Sequence, residues 1–171
     1  SVIIRGKNAY SGKITKTFTI VKAAKGKTYT VGKFKYTITG AKADGTGTVA
    51  ISGTTYTRSD KKFASLTISD AVVIGGVKFK ITSVCANAFS RYSMLTSVVI
   101  GNNVTSIGSN AFVSCKKLKK VTIKSTKLKG VGAKAFSGTY SKVTFVLPKS
   151  KAASYKKLIK NGSPSANAIY K

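Results

Sequence analysis

The sequence has no histidine, no tryptophan and no glutamate, and its carboxylate side chains are limited to Asp44, Asp60 and Asp70. General acid–base catalysis draws on histidine or on paired carboxylates, and these aspartates stand at least ten residues apart. Hard cations need clustered oxygen ligands, and zinc needs sets of about three or four His or Cys. Neither set can be assembled from this composition, which implies no cofactor and no metal. Three S-x-x-K matches, starting at Ser59, Ser114 and Ser154, are as many as chance gives, and no K-T-G partner accompanies them. The reading is therefore a non-enzyme.

Long apolar runs are also missing. The longest, Ala71 to Val77, falls far short of the roughly 20 residues that span a bilayer. Cys85 and Cys115 are too few for a disulfide scaffold, and their apolar surroundings read as buried, unpaired thiols. The start shows no methionine and no signal-like stretch, so the expectation is a mature or trimmed piece of a longer chain.

What is present is lysine. The chain carries 31 basic residues against three acidic ones, a net charge of +28, with arginine only at positions 5, 58 and 91. Such a charge attracts any polyanion. Lysine, however, is a hydrated point charge, poorly suited to the bidentate reading of bases that sequence-specific DNA recognition favours. The composition reads as solubility plus non-specific attraction.

The second half repeats itself. Val84 to Ile100, Ile107 to Ile123 and Val131 to Leu147 align so that Phe89, Phe112 and Phe136 recur after 23 and then 24 residues. Val84, Ile107 and Val131 recur with them, as do Ile100, Ile123 and Leu147. A fixed period in the twenties marks a solenoid, whose units bury their apolar faces against one another. Within a unit, "LTSVVI" and "LKKVTI" alternate as short strands do. The "NAF" segment makes the return with its ring inward, which predicts a ladder of phenylalanines.

The consensus V-x-x-I-G-x-x-A-F-x-x-C-x-x-L-x-x-V-x-I resembles the BspA-type leucine-rich repeat. The middle unit carries it through Val104, Ile107, Gly108, Ala111, Phe112, Cys115, Leu118, Val121 and Ile123. The first unit departs at Cys85, where glycine is usual, and at Tyr92, where cysteine is usual; the third has Thr139 at the cysteine position. Residues 2–23 resemble the closing hairpin of a bacterial immunoglobulin-like repeat. The resemblance implies a mainly β fold: a short right-handed leucine-rich-repeat solenoid of about three to four units, preceded by antiparallel β-hairpins and capped by a short C-terminal helix. The expected organisation is a truncated Ig-like hairpin at 1–23 and a hairpin region at 24–63. Repeats follow at 64–148, then a capping helix and tail at 149–171. Ser150 is the expected N-cap, with Tyr155, Leu158 and Ile159 on the buried face and Asn161-Gly162 as the stop, so that the helix covers the last strand.

Seven of the fourteen residues from Lys116 to Lys129 are lysine (Lys116, Lys117, Lys119, Lys120, Lys124, Lys127 and Lys129). With Lys156, Lys157 and Lys160 on the expected helix they form a candidate anion-binding surface; the plainer reading is a solvated coat. The family resemblance implies an extracellular or cell-surface adhesion module. Its partners would be host or bacterial surface proteins, glycans or anionic wall polymer. Lysine over arginine, and no helix-in-groove motif, weigh against nucleic acid. A purely structural spacer is the other alternative.

Overall fold

The structure, a computed structural model, describes residues 24–42 and 46–171. The Ig-like hairpin expected at 1–23 lies outside the described residues.

Two sheets face each other across a shared core. One is built from β4 (Ser65–Ile68), β7 (Ser97–Ile100), β9 (Lys120–Ile123), β11 (Thr144–Val146) and β12 (Ile169–Tyr170), all parallel. The other runs β1 (Thr28–Val31), β2 (Phe34–Ala41), β3 (Gly47–Thr54), β6 (Val77–Val84), β8 (Ser106–Ile107) and β10 (Gly130–Val131), with β5 (Ala71–Ile74) folded back on β6. Each coil gives one strand to each sheet. The alternating pattern explains the pairing: Val121 and Ile123 of β9 point inward and sit in register with Val98 and Ile100 of β7. A one-residue slip would turn both apolar pairs to solvent.

The return segments make a third ladder. Asn87 donates from its backbone N–H to Ser109 O, Phe89 to Ala111 O and Phe112 to Ala135 O, at 2.8–3.0 Å. Two positions per return are left-handed, first Asn87, Asn110 and Lys134, then Arg91, Ser114 and Gly138. Asn and Gly tolerate that conformation at little cost, so the "N" of "NAF" suits the backbone there, and Lys134 adopts the same conformation in the third return. The repeat glycine has a different reason. A Cβ on Gly108 would stand 2.4 Å from Ala86 N, and one on Gly132 would stand 2.4 Å from Ser109 N. These glycines let successive coils approach. Cys85 escapes the rule because its coil neighbours β3, where Cys85 N–H donates to Ile51 O at 2.9 Å.

The expected ring ladder is present and longer than the repeats. Phe112 stacks on Phe136 at 5.6 Å, and Phe63 extends the column beyond Phe89 at 6.1 Å. At the other end, Phe136 meets Phe145 edge-on at 5.0 Å, and Phe145 stacks on Tyr170 at 5.5 Å. Tyr92, which replaces the usual cysteine, packs edge-on against Phe63 and donates its hydroxyl to Tyr56 O at 3.1 Å.

The antiparallel strands β1–β3 lead directly into the solenoid, because β3 pairs in parallel with β6 while pairing antiparallel with β2. The C-terminal end differs in detail from expectation. Ser150 does not cap the helix. It lies in a 3-10 turn (Lys149–Lys151) fixed by the φ of Pro148, and α1 (Ala152–Asn161) begins after Lys151 with no side-chain cap. Nor does α1 cover the last strand. Tyr155 and Ile159 are buried, Leu128 N–H donates to Tyr155 Oη at 2.8 Å, and Phe136 N–H donates to Gly162 O at 2.8 Å. The helix thus closes the final return, beside β10, while β11 is covered by β12 from the tail. Gly162 ends α1 at φ −76°, so close packing rather than left-handed backbone requires glycine there. Its Cβ would meet Val131 Cγ1 at 2.9 Å and Phe136 Cδ2 at 3.1 Å.

Candidate functional site

All ten candidate lysines are exposed, because the residues between them carry the core: Leu118, Val121, Ile123 and Leu128 are buried. The fold distributes the lysines over several surfaces. Lys120 projects from the outer face of β9, which otherwise presents a Ser/Thr/Val surface made by Ser65, Thr67, Ser97, Val99, Thr122 and Thr144. Lys116, Lys117 and Lys119 stand at the approach to β9. There Lys117 Nζ lies 3.5 Å from Met94 Sδ, and Lys119 Nζ lies 5.5 Å from the centroid of the Tyr140 ring. Lys124 follows β9, and Lys127 and Lys129 lead into β10. On the helix, Lys156 Nζ sits 5.3 Å over the Tyr170 ring. Lys157, with Lys151, borders a shallow groove of about 360 Å³ against Thr126, Leu128, Tyr155 and Leu158. That groove brings the helix beside the loop that carries Lys127.

Asp70 stands near Lys124 and Lys127. Its carboxylate accepts from Asn102 N–H at 2.6 Å and from Asn102 Nδ2 at 3.0 Å. Those two bonds hold its pKa below the ordinary carboxylate value, with the charges of Lys124 and Lys127 adding to the effect. Asn103 Nδ2 donates to the Asp70 carbonyl at 3.1 Å, so this corner links β4 to the β7–β8 turn.

The thiols differ from one another. Cys115 is buried, points at Phe89 O with its sulfur 3.1 Å away, and burial pushes its pKa up to about 12. Cys85, expected to be buried, is half-buried because it sits at the first coil's margin; burial still raises its pKa. Both are free. Among the described residues, no group of three or more His, Cys, Asp or Glu side chains is placed to hold a metal ion. No described helix is long and apolar enough to cross a membrane.

Arg58 and Arg91 are indistinguishable from the lysines by charge, and their sequence separation hides that they line one groove. The alternation of core and surface residues could mark them as exposed. Only the docking of the loop after β3 onto the first return could bring them together.

Comparison with solved structures finds the same architecture. A leucine rich cell surface protein from Faecalibacterium prausnitzii is 23% identical with a TM-score of 0.54, over 85% of this chain and 43% of that one. A leucine-rich repeat protein from Bacteroides capillosus is 19% identical with a TM-score of 0.58, over 84% of this chain and 98% of that one. Another, from Bacteroides ovatus, is 21% identical with a TM-score of 0.51, over 71% of this chain and 38% of that one. This chain thus spans less than half the length of the F. prausnitzii and B. ovatus proteins. No curated protein matches the sequence. Residues 53–164 match the BspA type leucine rich repeat region in six copies, a wider span than the three aligned units. With the stacked coils, the close-approach glycines and the phenylalanine ladder in place, the chain belongs to the BspA-type leucine-rich repeat family.

Proposed function

We propose that this chain is a non-catalytic adhesion and protein-interaction module acting outside the cell, with its lysines drawing it onto anionic polymer. The observation that supports this most is the pairing of a rigid scaffold with unneutralised charge. Two sheets and an aromatic column fix the surface, and ten lysines stand exposed on it where three aspartates cannot neutralise them. A pre-ordered surface loses little conformational freedom on binding, and uncompensated positive charge accelerates encounter with polyanions. The F. prausnitzii protein is described as a cell surface protein, which agrees with an extracellular site of action. The distribution of lysine over several surfaces favours attraction at many points over one tightly defined lysine site.

The test is retention of the chain on purified Gram-positive cell walls, with and without teichoic acid, at physiological salt and with excess duplex DNA. Retention that survives DNA and disappears with teichoic acid is the expected result. Complete loss to DNA would favour non-specific nucleic-acid binding, whose affinity falls linearly in log salt. No retention under any condition would overturn wall docking and leave a spacer role.

A further inference from the structure

Lysine is spread along the entire chain, but two of the three arginines share one place. Arg5 lies outside the described residues. Arg58 and Arg91 line a groove of about 490 Å³ with Asn87, Ser90, Asn110 and Ser114. Two rows of the groove come from the repeat itself. Asn87 and Asn110 occupy the first left-handed position of consecutive returns, and Arg91 and Ser114 the second, with φ between 57° and 64°. Their side chains therefore stand in parallel rows along the solenoid axis. In the third return the same positions hold Lys134 and Gly138, and the groove ends.

Arg58 is brought to these rows by a docked loop. Ser93 donates to Arg58 O from its backbone at 3.0 Å and from its hydroxyl at 3.3 Å, and Tyr92 Oη holds Tyr56 O. The Arg58 guanidinium is itself fixed, with Nε donating to Ser90 O at 3.3 Å. An anchor at Nε leaves the two terminal nitrogens as a pre-oriented fork, the geometry that matches an oxyanion and that lysine cannot supply.

We infer that this groove is a binding site for a sulfated glycan. Arg58 and Arg91 engage sulfate groups, and the amides of Asn87 and Asn110 with the hydroxyls of Ser90 and Ser114 meet sugar hydroxyls. The volume is in the range of small-ligand sites and exceeds what a single inorganic anion fills. Tight protein contacts centre on well-packed, desolvated anchors, many of them aromatic, and this groove is lined by polar side chains, with Val113 as its one apolar residue and no aromatic ring. This goes beyond attraction by the lysine coat, since it assigns affinity to the chemistry of two arginines and not to total charge.

The experiment is calorimetric titration of the full chain with a heparin-derived hexasaccharide at physiological salt. The comparisons are its desulfated, uronate-retaining counterpart and three variants. R58K/R91K conserves charge and removes both forks. R91K alone changes an exposed side chain that holds no hydrogen bond within the described chain. K78Q/K80Q removes two charges from the outer face of β6. The expected result is about a tenfold or greater loss in R58K/R91K, an intermediate loss in R91K and less than about twofold change in K78Q/K80Q, where tenfold corresponds to about 1.4 kcal/mol. Equal binding by R58K/R91K and the native chain would overturn the site, as would equal weakening by K78Q/K80Q. If R58K/R91K fails to fold, R91K decides alone. Equal affinity for the desulfated hexasaccharide would overturn sulfate as the recognised group. Each result is independent of retention on cell walls, so failure here and failure of wall docking are separable.

Discussion

The rings of Phe89 and Phe112 stack with centroids 5.6 Å apart and planes within 10° of parallel, although each arrives from a different coil. Offset stacking at this distance is favourable beyond the apolar area it buries. Both rings are fully buried. Because Phe112 touches a ring on either side, its loss opens the column at its centre. Phe112→Ala is expected to destabilise the chain by about 3–5 kcal/mol, measured as the shift in a urea transition. A loss below about 1 kcal/mol would mean that the ladder is not a principal support.

Two glycines offer a matched comparison. Gly108→Ala must push a methyl group against the backbone of Ala86, whereas a Cβ on Gly130 meets nothing within 4 Å. Backbone cannot rotate away as a side chain can, so Gly108→Ala is expected to cost about 1–3 kcal/mol or more. Gly130→Ala should leave stability unchanged or raise it by about 0.4–1 kcal/mol. Thermal melts of the two variants check this directly, and equal melting temperatures would refute the close-approach explanation.

Tyr155 is tied to the repeats by one bond from Leu128 N–H at 2.8 Å, in a buried setting. Tyr155→Phe keeps the ring and orphans that N–H, which should cost about 1–3 kcal/mol. Amide exchange at Leu128 should quicken selectively, because the helix closes the last return through this contact. Unchanged exchange would show that this bond does not hold α1 to the repeats.

The thiols should separate by reactivity and by pH. Cys85, half-exposed, is expected to react with a thiol reagent in the native state, and Cys115 only after unfolding. In the unfolded chain Cys115 ionises near 9.0, while in the folded chain its pKa is about 12. The folded state then holds the proton that the unfolded state releases, so stability is fully present below about pH 9 and falls as pH rises toward 12. Cys115→Ala, less stable at neutral pH, should lack that part of the alkaline decline. Parallel curves for the two proteins would show that the thiol does not contribute.

Much of this molecule is legible without coordinates, for a physical reason. In a solenoid each unit contacts only its neighbours, so the 23- and 24-residue spacing of Phe89, Phe112 and Phe136 already encodes which residues touch. Alternation in "LKKVTI" encodes which side faces inward, and the same alternation shows that the lysines between Leu118 and Leu128 are exposed. The ends have no such periodicity, and there local signals misled. Ser150 follows Pro148 and looks like an N-cap, yet the chain uses those residues for a 3-10 turn. The tail at 162–171 carries no strand signal, yet it supplies β12 because β11 offers an open edge that must be satisfied. Likewise the aspartate at position 70 reads as one of three isolated carboxylates until the adjacent coil brings Asn102 to it. The sequence determined the repeat, its core and its surplus of charge, since these depend on neighbours along a fixed period. Only the tertiary structure decided where the helix closes the stack and that Arg58 and Arg91 share a groove. Both depend on loops docking across the solenoid, and no local pattern records that.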